Sequence, residues 1–187
     1  MKKVNFTEMK NGSKKDYKFL DLLEKKYIAK TSDRIIKYLR NYNKTLEGYQ
    51  VSRLEHSLQA ASRALRDKAK DEMVVATLLH DIGDDLAPAN HAEYAAAILK
   101  PYVSKKTHWI LLKHAEFQMY YYAHHLGGNR NKRNKYKKHK YYNDCIKFCE
   151  LWDQNSFDPN YKSFSLKKFE PLIKKIFSRK PYSRLKE

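Results

Sequence analysis

Leu78-Leu79-His80-Asp81-Ile82-Gly83-Asp84 closes an apolar stretch that also holds Met73, Val74 and Val75. The run reads as an apolar helix through Met73, Val74, Val75, Leu78 and Leu79. Asp71 is placed to cap that helix, and Gly83 to break it. The helix is therefore expected to deliver His80-Asp81 at its end. An imidazole beside a carboxylate in one rigid turn can hold one metal ion, or two if the carboxylate bridges.

Working outward, the apolar spacing is helical almost everywhere. Ser13 precedes a run with Phe19, Leu20, Leu22, Leu23 and Tyr27, and Ser32 is a candidate cap for a helix with Ile35, Ile36, Leu39 and Tyr42. Leu46-Glu47-Gly48-Tyr49 reads as a connection. Leu54, Leu58, Ala61 and Leu65 then form a stripe with His56 beside it. Asn90 can cap a helix over residues 91–100 that Pro101 ends, and Ser104 one that carries Trp109, Ile110, Leu111 and His114. An aromatic run over residues 117–122 is followed by a loop at Gly127-Gly128. Asn143 starts a helix ending near Asp153, and a last one runs from about Ser165 to Ser178. With five Gly and five Pro and no paired strand signals, the expected class is an all-α bundle. The expected organisation is one domain over residues 13–178, flanked by a flexible tail at 1–12 and another tail at 179–187.

The chain has 187 residues, 42% of them hydrophobic, enough for a substantial core. No apolar run approaches membrane-spanning length and the first residues lack a signal-peptide core, so a cytoplasmic protein is expected. Cys145 and Cys149, four apart on a helix, read as buried reduced thiols. The net charge of +18 favours an anionic substrate or a polyanion, although Lys, Asn and Tyr are abundant throughout. Residues 130–140 (RNKRNKYKKHK) are denser still: a candidate nucleic-acid patch, or, more commonly for such runs, a solvated charged loop.

His56, His80, Asp81, His91, His114 and Asp153 are the candidate metal ligands. Six donors exceed what one catalytic ion with open positions needs and suit two, with Asp81 as the bridge. Taken singly, a histidine on a helix is more often a satisfied core or surface residue. His124-His125, after three tyrosines, could bind substrate or be ordinary surface. Arg130 and Arg133 could hold phosphate.

The series His56, then His80-Asp81-Ile82-Gly83, then Asp153 resembles the HD-domain superfamily over roughly residues 50–178. That resemblance implies a helical HD bundle binding one or two metals. Most such proteins are phosphohydrolases; a smaller branch holds dinuclear iron oxygenases, among them myo-inositol oxygenase and phosphonate-cleaving enzymes. Leu54-Glu55-His56-Ser57-Leu58-Gln59, His91-Ala92-Glu93-Tyr94-Ala95-Ala96-Ala97 and Trp152-Asp153-Gln154 with Phe169-Glu170-Pro171 are similar to ligand-bearing segments of the phosphonate oxygenases. The stretch from Trp152-Asp153-Gln154-Asn155 to Ser156-Phe157-Asp158-Pro159 is also similar to sequences known only as HD phosphohydrolases. The substrate shell departs from the oxygenase pattern. Leu46 and Tyr49 stand where a Tyr and a Glu form a lid, Asp84 where a basic or imidazole group is common, and Gln118 where a substrate lysine is expected.

Three readings follow. The favoured one is a mixed-valent Fe(II)/Fe(III) oxygenase that uses O₂ on a small hydroxylated, anionic substrate. The second is a phosphohydrolase using Mn or another divalent metal, with Asp84 or Asp85 carrying a proton. In either, Asp81 and Asp84 are the catalytic carboxylates, and Gln118, His125, Arg130 and Arg133 the candidate substrate contacts. The third is a nucleic-acid-binding module. No membrane partner is expected.

Overall fold

In the computed structural model, which describes residues 3–42 and 47–181, the chain forms eight α-helices and no strand among those residues. They are α1 (Lys14–Ile28), α2 (Thr31–Leu39), α3 (Arg53–Arg66), α4 (Asp71–Leu78), α5 (His91–Leu99), α6 (Lys105–Tyr122), α7 (Tyr142–Phe148) and α8 (Leu166–Phe177). The class is all-α. No helix among the described residues is long and apolar enough to cross a membrane.

The short helix α4 is the centre of the bundle. Val74, Val75, Ala76, Leu78 and the following Leu79 are all fully buried, so beyond its first turn the helix has no solvent face. It packs on α3, α6 and α8, and the core continues through Leu39, Leu99, Phe169, Ile173 and Ile176. Each such side chain contributes about 1.5–3 kcal/mol relative to an exposed one. A second cluster, Ile110, Phe117, Cys145, Phe148 and Cys149, joins α6 to α7. Both cysteines are buried and unpaired, and burial pushes the Cys149 thiol well up.

Several local expectations need correction. Helix α4 stops at Leu78, two residues before His80, and successive turns carry the chain to Ala87 (Ile82 N–H to Leu79 C=O, 3.1 Å; Asp84 N–H to Asp81 C=O, 2.9 Å). Asp71 is the first residue of α4 rather than its cap, and its carboxylate meets Lys175 at 2.5 Å. Ser32 lies inside α2, whose capping position is Lys30. In α3 the buried residues are His56, Ser57, Gln59, Ala60, Ala61, Ser62 and Ala64, while Leu54, Leu58 and Leu65 are only half-buried. Small residues there let neighbouring backbones approach closely. Helix α1 buries no residue, and Leu22 is 52% and Tyr27 64% exposed: apolar spacing gave the helix but not burial. Of the connection read over residues 46–49, Leu46 falls outside the described residues and Glu47, Gly48 and Tyr49 lie outside any helix; the last residues of the C-terminal tail, 182–187, also fall outside the described residues.

Ser13, Ser52 and Ser104 cap α1, α3 and α6. Ser52 and Glu55 form a reciprocal capping box (Ser52 N–H to Glu55 Oε2, 2.7 Å; Glu55 N–H to Ser52 Oγ, 3.2 Å). Residues 130–140 are folded rather than a solvated loop. Lys132–Tyr136 make a 3₁₀ turn, the Tyr136 ring packs on Trp109 and Phe117, and His139 lies flat on Trp109 at 4.0 Å.

Glu72 ties three segments together. It accepts from the Ser104 and Thr107 hydroxyls (2.5 and 2.8 Å) and from Arg179 Nη1 (2.8 Å). Burial raises its carboxyl pKa, but these donors outweigh burial and hold it at about 2, below the ordinary 4.5. A depressed pKa stabilises the fold fully above pH 4.5 and progressively less as pH falls to about 2. Glu72→Ala should therefore cost about 1–3 kcal/mol at pH 7. Its deficit against the wild type should shrink between pH 4.5 and 3 in urea unfolding; a constant deficit would remove the assignment.

Candidate metal centre

The capping box fixes where α3 begins, and one turn later His56 points inward. The α4 turns supply His80 and Asp81, the start of α5 supplies His91, the middle of α6 supplies His114, and Asp153 arrives on a turn of π-helix, Cys149–Asp153. These six side chains meet. His56, His80 and Asp81; His80, His114 and Asp153; and Asp81, His91 and His114 each offer donor atoms within 4.8 Å of one another. All are buried except His91, whose side chain is 25% exposed.

The two oxygens of Asp81 face different partners. Oδ2 lies 3.2 Å from His56 Nε2 and 3.3 Å from His80 Nε2. Oδ1 lies 3.3 Å from His114 Nε2 and 3.5 Å from His91 Nε2. Asp153 Oδ1 closes the first group at 3.5 Å from both His56 and His80.

The histidine tautomers are set from behind. His56 Nδ1 donates to Ser156 C=O (3.0 Å), His80 Nδ1 to Thr77 C=O (2.7 Å) and His114 Nδ1 to Leu111 C=O (2.7 Å). A carbonyl can only accept, so each neutral ring turns an Nε2 lone pair into the centre. His56 Nε2 and His80 Nε2 are then 3.0 Å apart, two lone pairs facing each other unless a proton or a metal ion lies between them. Such a contact needs positive charge beside it. The electrostatics agree: burial disfavours the His80 imidazolium, yet Asp81 and Asp153 overcome burial and raise its pKa well above the ordinary value. Burial likewise opposes the Asp81 carboxylate, but the surrounding histidines hold its pKa well down. Asp153 Oδ2 is buried without a hydrogen-bond partner among the described residues. A buried His/Asp cluster with these lone pairs fits a divalent metal.

Asp84 sits behind His91. Its Oδ1 is 3.2 Å from His91 Nδ1 and its Oδ2 2.9 Å from Arg53 Nε. Burial and then the charge of Asp81 raise its pKa, against Arg53 and His91. Arg53, itself nearly buried, also brings Nη1 to 3.6 Å from Asp81 Oδ2 and lies over the Tyr49 ring at 4.9 Å. Sequence reasoning missed it. The available signal was its place three residues before His56 in a capped helix, which puts both on one face. Tyr42, also missed as a site residue, donates its hydroxyl to the Asp81 carbonyl. Phe157 stacks on His56 at 4.4 Å and carries Tyr49 on its outer face at 4.9 Å.

The candidate substrate contacts separate. Gln118 reaches the cluster, donating Nε2 to Asp153 Oδ1 at 3.2 Å. His125 is exposed, packed on His124 in the 3₁₀ turn Ala123–Leu126. Arg130 and Arg133 lie over the Tyr120 ring at 4.3 and 3.7 Å, with no ion pair to any of the six among the described residues. Asp85 accepts from Tyr38 at 3.0 Å.

No curated protein matches the chain. The HD domain family model matches residues 53–149, just over half of the sequence, from Arg53 through His56, His80-Asp81, His91 and His114, and stops four residues before Asp153. With those residues gathered around one buried centre in an all-helical fold, the chain belongs to the HD domain family.

Proposed function

We propose that this protein is a dinuclear metal-dependent phosphohydrolase acting on a small phosphate ester. The observation that carries the reading is the division of the two Asp81 oxygens between two donor groups. His56, His80, Asp153 and Asp81 Oδ2 would hold one ion; His91, His114 and Asp81 Oδ1 would hold the other, with positions left open. When bound, the pair supplies Lewis acidity and acidifies water at neutral pH.

The chain's own residues supply the rest. Asp84 orients His91 through Nδ1, the arrangement that fixes a metal-ligating imidazole. Its other oxygen, Oδ2, is ion-paired with Arg53 Nε at 2.9 Å, so Asp84, with its raised pKa, can take up a proton there only once Arg53 has turned away. Arg53, at 3.6 Å from Asp81, can swing from the carboxylates to an anionic substrate, and its planar fork matches phosphate. Gln118 can offer a neutral donor from the Asp153 side. The Tyr49–Phe157 stack walls off His56 from water.

A second reading, the mixed-valent diiron oxygenase, is favoured by one feature: the open donor group is mostly imidazole, which suits iron. Here O₂ would be a co-substrate. Anaerobic purification with metal counting separates the two. Turnover of p-nitrophenyl phosphate or a nucleotide with Mn, without O₂ uptake, supports hydrolysis. Two irons with a mixed-valent paramagnetic signal, O₂ uptake and no phosphatase activity would replace it with the oxygenase.

Arg53→Ala should keep the metal content and raise KM for a phosphate ester about tenfold to a hundredfold, the roughly 1.5–3 kcal/mol of a hydrogen bond to a charged group. Wild-type KM would remove Arg53 from substrate binding. Gln118→Ala should act in the same direction, more weakly.

A further inference from the structure

Residues 129–140 hold seven Lys and Arg, no acid, and no Leu, Ile, Val, Met or Phe. Lys135 meets Glu116 at 2.6 Å; none of the other six has a carboxylate partner among the described residues. Arg130 and Arg133 are occupied with Tyr120, and Lys140 lies 4.9 Å from the Tyr141 ring centre, contacts that leave their charges uncompensated. Unshielded like charges repel, so a segment of this kind ordinarily splays into solvent. Here it is pinned. Tyr136 is wedged against Trp109 and Phe117, its hydroxyl donates to Glu116 at 2.9 Å, His139 stacks on Trp109, and the Tyr142 hydroxyl donates to Asn134 at 3.1 Å. The result is a ridge along α6 with Lys132, Lys137, Lys138 and Lys140 exposed.

We propose that this ridge is a docking surface for nucleic acid, which it grips by the phosphodiester backbone through Lys132, Lys137, Lys138 and Lys140. Backbone neutralisation by lysines is the main source of sequence-independent affinity. Asn129 and Asn131, exposed among them, add hydrogen-bonding side chains. An anionic membrane fits less well, because surface-seeking segments need an apolar face and these twelve residues have no aliphatic side chain. The proposal does not depend on the metal reading: α6 carries His114 to the centre and Trp109 and Phe117 to the ridge.

The test is fluorescence anisotropy of the full chain with a labelled single-stranded RNA 20-mer, with and without chelator, over 50–200 mM salt. The ridge variant Lys132→Gln, Lys137→Gln, Lys138→Gln, Lys140→Gln is compared with a control of equal charge on α1: Lys14→Gln, Lys15→Gln, Lys18→Gln, Lys26→Gln. The ridge variant should bind at least about tenfold more weakly, and its log K against log salt slope should flatten by about 3, four contacts at roughly 0.7 each. The α1 control should stay within about twofold of wild type, and chelator should change nothing. Equal losses in both variants would reduce binding to bulk charge and overturn the site. So would the absence of saturable binding, or binding to phosphatidylserine vesicles but not to RNA. An unchanged thermal melt of the ridge variant establishes that the loss is not one of folding.

Discussion

Asp81→Asn should yield a folded protein that retains at most one ion per chain. The substitution keeps the size of the side chain and removes the charge that its two oxygens divide between His56 and His80 on one side and His91 and His114 on the other. An amide offers one weak acceptor and one donor in place of two anionic oxygens. Turnover should fall by more than the roughly 10²–10³-fold that follows loss of a single electrostatic stabiliser. Melting gives a readout independent of activity. Wild-type Tm should rise on adding metal, since binding to the native state alone is stabilising, and the variant's Tm should not respond. His80→Ala should behave alike. Two ions per chain in either variant would end the case for a bridged pair.

Gly83→Ala should be nearly as damaging although residue 83 donates nothing to the centre. A Cβ there would lie 2.8 Å from both His91 Cα and His91 O, and 2.9 Å from Tyr94 Cβ. Two of these atoms are backbone, so helix α5 would have to move at its first turn. His91 would be carried away from Asp81 Oδ1 and Asp84 while the His56–His80–Asp153 group stayed in place. The expected result is one tightly held ion, a second that washes out, and a loss of about 1–3 kcal/mol from overpacking. Normal occupancy of both ions would show that the close approach is slack.

The glycine also marks where sequence reasoning ran out. It reads as the break of a helix that has in fact already stopped at Leu78, and its requirement is contact with α5, which has no trace in local spacing. The all-helical class was legible because apolar periodicity is local. The six converging side chains were legible because their types and order match a family pattern. The depth of each helix was not: α1 and α3 carry similar apolar spacing, yet one buries nothing and the other buries its small and polar face. Arg53 was missed because an arginine at a helix start reads as solvated. Its near-complete burial depends on Asp81 and Asp84, which arrive from another part of the chain.

Asp153 depends on a widened turn. From Cys149 to Asp153 the chain makes one π-helical turn, so its closing hydrogen bond spans five residues (Gln154 N–H to Cys149 C=O, 2.9 Å). Removing a single codon within that turn would restore ordinary α register and swing the carboxylate about 100° around the axis. The buried apolar residues of α4 and α8 lie outside that turn, which reaches the main core through Trp152. An ancestor or descendant of this protein could thus trade a metal-loaded centre for an inert one through one in-frame deletion, while remaining the same folded object.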